Sequence, residues 1–99
     1  MPKIFEYFGL VFFFYSNEHE PIHVHVVKNE EDTVFDIILE NGSLKRIERR
    51  NGSRHPLNNK DAQTAKAFVA KYYKNIVEKW IKFFVLKKPV RSTKITKKI

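Results

Sequence analysis

Three of the chain's four histidines fall within one short stretch, at His19, His23 and His25. An imidazole changes charge near neutral pH and is a common nitrogen ligand for divalent metals, so such a cluster is where chemistry would sit. His23 and His25 are two apart, a spacing that turns both rings to one side of an extended strand. His19 lies in the turn-forming run Ser16 to Pro21, close to the start of that strand. The set could bind a divalent metal and activate water, or act as a general base. The competing account has His19 and His23 holding the turn through backbone hydrogen bonds while His25 lies at the sheet surface.

The second feature is cationic. Residues 1–55 hold seven Lys/Arg against nine Asp/Glu, whereas residues 56–99 hold twelve against only Asp61 and Glu78. The whole excess behind the net charge of +8 therefore lies in the C-terminal half. Lys71, Lys74, Lys79 and Lys82 share the polar side of a helical repeat with only Glu78 nearby, where a merely solvated helix mixes signs. Lys87 and Lys88 continue the row into a tail that adds Arg91, Lys94, Lys97 and Lys98. Such a surface predicts an anionic partner, nucleic acid or an acidic protein, bound with steep salt dependence. Nothing here reads bases: there is no helix-turn-helix, zinc finger or strand-borne aromatic motif.

These side chains need elements to hold them. Lys3 to Phe8 reads as a short strand, with Gly9 as a tight turn or bulge. Leu10 to Tyr15 is apolar throughout and rich in types that suit a pleated sheet, so it reads as a strand buried on both faces. Ile22 to Val27 and Thr33 to Leu39 alternate as further strands. Asn41-Gly42 marks a hairpin, because both central positions of a type I′ turn need positive φ. Ser43 to Arg49 returns as an edge strand protected by charge.

Asn58 or Asn59 caps a helix running from Lys60 to Phe84, with Asp61 near its positive end. Ala65, Val69, Tyr72, Tyr73, Ile76, Trp80, Phe83 and Phe84 share one side and cover the sheet. At about 37 Å the helix is long for so small a domain and allows a bend near Asn75. The expected fold is α+β: a four- or five-stranded, mainly antiparallel sheet packed against a long or bent C-terminal helix. Residues 1–86 make the single domain, and residues 87–99 a basic tail expected to be disordered.

Composition narrows the function. With no cysteine there is no disulfide, thiolate metal site or cysteine nucleophile. No run approaches the ~20 apolar residues needed to span a bilayer, and the N-terminus shows no export signal, so a cytoplasmic protein is expected. Serines are isolated, no glycine-rich phosphate loop occurs and no carboxylates pair for acid–base work, so no catalytic residue is assigned.

The run Asn17-Glu18-His19-Glu20-Pro21-Ile22-His23-Val24-His25 resembles a family of small bacterial proteins of unknown function. Their mark is an Asp/Asn-x-His-x-Pro-Pro-His-Phe-His-like stretch after a Met-Pro start. Met1-Pro2-Lys3-Ile4 and Tyr7-Phe8-Gly9 are similar to that family's opening, and Ile76-Val77-Glu78-Lys79-Trp80 to its C-terminal helix. The chain departs from the pattern at Ile22 and Val24, where proline and phenylalanine are usual. The resemblance implies a small α+β domain of bacterial cytoplasm, some of whose relatives are suspected of toxin–antitoxin or regulatory roles, and no established activity or cofactor. The expected function is thus a binding or regulatory module using the basic helix face and tail. Its alternatives are a metal-dependent hydrolase at the histidines and an oligomerising protein that pairs through a sheet edge.

Overall fold

The computed structural model of the chain describes residues 2–14 and 22–99. Tyr15 and the expected turn from Ser16 to Pro21, with His19 in it, lie outside the described residues.

Five strands follow in sequence: β1 (Lys3–Tyr7), β2 (Leu10–Phe13), β3 (His23–Lys28), β4 (Glu31–Glu40) and β5 (Ser43–Arg49). Each pairs antiparallel with the next. The turns follow the local chemistry. Asn41 and Gly42 both have positive φ (53° and 81°), as a two-residue hairpin loop requires. Phe8 and Gly9 repeat that geometry between β1 and β2 (45° and 85°), at the cost of leaving a phenylalanine in the left-handed region.

A helix, α1 (Asn59–Trp80), then crosses one face of the sheet. Asn58 caps it, its side-chain oxygen accepting from the Asp61 N–H at 2.8 Å. Phe68 is the hub of the core: its ring lies 4.6 Å from Phe12, 4.9 Å from Tyr7, 5.4 Å from Phe5 and 4.6 Å from Tyr72. Phe68 stands outside the helical face expected from sequence, whereas Ala65, Val69, Ile76 and Trp80 are buried as expected. The helix bends at Tyr72 (φ −105°, ψ 17°) rather than at Asn75, where the Tyr72 ring is held against Phe5 and Phe68. It runs on into a wider π-helical turn, Ile81–Val85.

Two expectations change. Leu10, Phe12 and Phe14 are buried, but Val11 and Phe13 are only half-buried. The helix therefore covers one side of β2, not both, as befits an antiparallel sheet. The sheet also has six strands rather than four or five. The sixth, β6 (Thr93–Ile95), lies in the stretch expected to be a disordered tail and runs parallel to β1 at the sheet edge. The strand order is β5-β4-β3-β2-β1-β6. Three residues with a lysine at the centre leave no hydrophobic pattern to read, and their partner lies far away in the sequence.

Candidate functional site

β3 separates its side chains by alternation. Val24 and Val26 pair with Phe35 and Phe12 on the helix side and are fully buried. His23 and His25 take the opposite face, yet are only 6% and 9% exposed. Their ring centres are 5.5 Å apart and the planes cross at 61°. His25 stands between Phe13 on β2 and Val34 on β4, and His23 stands opposite Asp36. The Asp36 carboxylate is gripped by Arg50, whose Nε donates to both oxygens at 3.0 Å and whose Nη2 lies 2.7 Å from Oδ1.

Two imidazoles that each reach one ion through a nitrogen at about 2 Å have ring centres of order 5 Å apart, so the observed spacing suits a shared ligand. The third expected ligand, His19, lies outside the described residues. Among the described residues no group of three or more His, Asp or Glu is placed to hold a metal. The fourth histidine, His55, lines a separate open concavity with Lys28, Glu30, Glu31 and Asp61 at the opposite end of β3.

The lysines come from the outer side of α1 and from its C-terminal cap. Leu86 N–H donates to Ile81 O at 3.0 Å and Lys88 N–H to Lys82 O at 2.9 Å, with Lys87 in the left-handed region (φ 56°). This cap satisfies terminal carbonyls and sets Lys87 and Lys88 at the negative end of the helix dipole, where cations are favoured. Lys71, Lys74, Lys82, Lys87 and Lys88 are exposed. Among the described residues, none of these five forms an ion pair with a carboxylate. Lys82, Lys88 and Arg91 face into a concavity of about 590 Å³ between the helix end and the tail. Lys79 and the carboxylate of Glu78 line it too, so an anion there would meet four cations and one like charge.

Lys79 differs from its neighbours. Its Nζ donates to Ile4 O at 2.7 Å, Arg91 O at 2.9 Å and Thr93 Oγ1 at 3.0 Å, and lies 4.0 Å from the Phe5 ring centre. Burial holds its pKa below the ordinary lysine value, with the Glu78 charge opposing and that of Lys82 adding to the effect. It ties the tail to the first strand. The sequence carried a signal for this: Lys79 follows Tyr72 by seven residues and so lies on the same helical line, at the margin of the core. Arg91 joins the concavity only because β6 folds back, which sequence reasoning did not anticipate.

A family model described as Domain of unknown function (DUF4160) matches residues 9–81. The match takes in β2 to β5 and α1, together with His19, His23 and His25, and leaves out β1 and the tail strand that closes on it. No curated protein and no solved structure matches the chain.

Proposed function

Since this chain belongs to a family known only as a domain of unknown function, we propose its role from its surface: it is a binding module that contacts an anionic macromolecule. The partner is an acidic protein surface or nucleic acid, met by Lys71, Lys74, Lys82, Lys87 and Lys88. The observation that carries the reading is the exposure of these five lysines, with Glu78 the one acid of the helix beyond its first turn. Buffering a surface against its own repulsion normally calls for mixed signs, and this face lacks them. Lys79 contributes charge to the field while its hydrogen bonds are spent on the tail.

Retention of the full chain on random duplex DNA, RNA and polyglutamate at low salt tests it, with Lys82→Glu/Lys87→Glu/Lys88→Glu as the comparison. Binding to at least one probe, weakened in the variant and by added salt, is the expected result. No binding to any of the three ends the reading.

A second reading rests on the 5.5 Å spacing of His23 and His25. In it these rings and His19 hold a divalent ion that activates water for hydrolysis. Zinc added to labelled protein would shift the three histidines' ring signals together; unmoved signals dispose of the idea. No helix among the described residues is long and apolar enough to cross a membrane.

A further inference from the structure

The outer side of α1 is not purely cationic. Ala67 and Ala70 before the Tyr72 bend, and Lys74, Val77, Ile81 and Val85 after it, recur three and four residues apart, the spacing of a helix-pairing seam in each segment. Ala67 and Ala70 are open, Val77 is half-buried with part of its side chain packed on the core, and Ile81 and Val85 are 41% and 60% exposed. At its N-terminal end the stripe opens into a shallow, almost wholly apolar groove of about 360 Å³, where Leu44 and Ile47 of β5 face Ala67 and Ala70. Lys66, Lys71, Lys74 and Lys82 edge or interrupt the stripe, all exposed.

We propose that this seam docks an acidic amphipathic helix of a partner protein, apolar residues against Ala67, Ala70, Ile81 and Val85, carboxylates against the lysines. The proposal rests on the anionic-partner reading above and selects within it. Nucleic acid would satisfy the lysines but leave Ile81 and Val85 in water, forfeiting the apolar burial that the seam offers. A second copy would set Lys74 and its neighbours against their own counterparts, a like-charge arrangement that opposes docking. A flat lipid surface cannot enter the groove beside Leu44 and Ile47. A helix with apolar anchors at i, i+3, i+4 and i+7 and glutamates beside them meets both features at once.

The test uses the full chain and a synthetic peptide of about 18 residues, long enough to span from Ala67 to Val85 as a helix. The peptide carries leucine at heptad a and d positions and glutamate elsewhere; a control has the same residues shuffled so that no leucine face forms. Binding is read by fluorescence anisotropy at low salt for the native chain and for two double variants, Ile81→Ser/Val85→Ser and Lys74→Glu/Lys82→Glu. All four positions are exposed, and circular dichroism is to establish that each variant keeps its fold.

The patterned peptide is expected to bind at least about tenfold more tightly than the shuffled one, and each double variant to lose about tenfold. Equal binding of the shuffled peptide, or an Ile81→Ser/Val85→Ser chain within about twofold of native, overturns the seam and leaves the anionic-partner reading standing. Failure of both peptides and of random duplex DNA, RNA and polyglutamate removes the two together. Two other results overturn the seam in favour of another occupant. One is a native dimer in sedimentation that Ile81→Ser/Val85→Ser dissolves; the other is Ile81-dependent binding to phosphatidylglycerol–phosphatidylcholine vesicles as tight as to the peptide.

Discussion

Three acceptors converge on the ammonium of Lys79, and an ammonium has three protons to give. The ammonium also lies 4.0 Å from the centre of the Phe5 ring, so the residue joins helix, first strand and tail at one point. Replacing Lys79 by Met keeps much of the stem and removes every donor, leaving the Ile4 and Arg91 carbonyls to find water. We expect a loss of about 1–2 kcal/mol in stability, the scale of hydrogen bonds made by a charged group in a partly open site. Faster amide exchange confined to Thr93–Ile95 should accompany it. A denaturation midpoint and tail exchange both equal to native would show that Lys79 fastens nothing. The histidines teach the complementary lesson. Alternation in β3 assigned His23 and His25 to one face from sequence alone, but their burial there, beside Phe13 and the Asp36–Arg50 pair, depends on neighbouring strands.

At the level of elements, periodicity made five strands and the helix legible, because each buries a repeating set of side chains against a common core. Asn41-Gly42 fixed one hairpin through backbone conformation, and Asn58 with Asp61 fixed the helix start through capping. That cap reaches beyond the helix. Asn58 Nδ2 donates to Asp61 Oδ2 at 3.0 Å, and Asp61 Oδ1 accepts from Lys28 at the end of β3 at 3.2 Å. Asn58→Ala should therefore destabilise the fold by about 1 kcal/mol, read from urea denaturation; an unchanged midpoint would mean that water replaces the cap without loss. What escaped sequence reasoning was non-local: β6 is too short to carry a pattern, and the position of the bend depends on Tyr72 lodging against Phe5. The lysine row was readable from composition, whereas the diversion of Lys79 and the recruitment of Arg91 required the tail to fold back.

Over the whole molecule, charge and topology divide the labour. The sheet carries a nearly balanced set of charges, and the helix with its tail carries the cations. β5 ends the sheet on one side with Lys45, Arg46 and Arg49, while the other side is closed by β6 over β1. A chain lacking residues 93–99 loses that closure and exposes the hydrogen-bonding edge of β1, which carries Ile4, Phe5 and Tyr7. Sedimentation of the shortened chain should show concentration-dependent association that the full chain lacks; a monomer at every concentration would mean that the edge protects itself. The pairing also imposes an order on biosynthesis. β1 leaves the ribosome before β2 to β5, and the segment that shields it, with the Lys79 that fastens it, follows only after them. Until then a sticky ribbon waits for its cover, so slow elongation, or a stall within α1, would expose the nascent chain to aggregation.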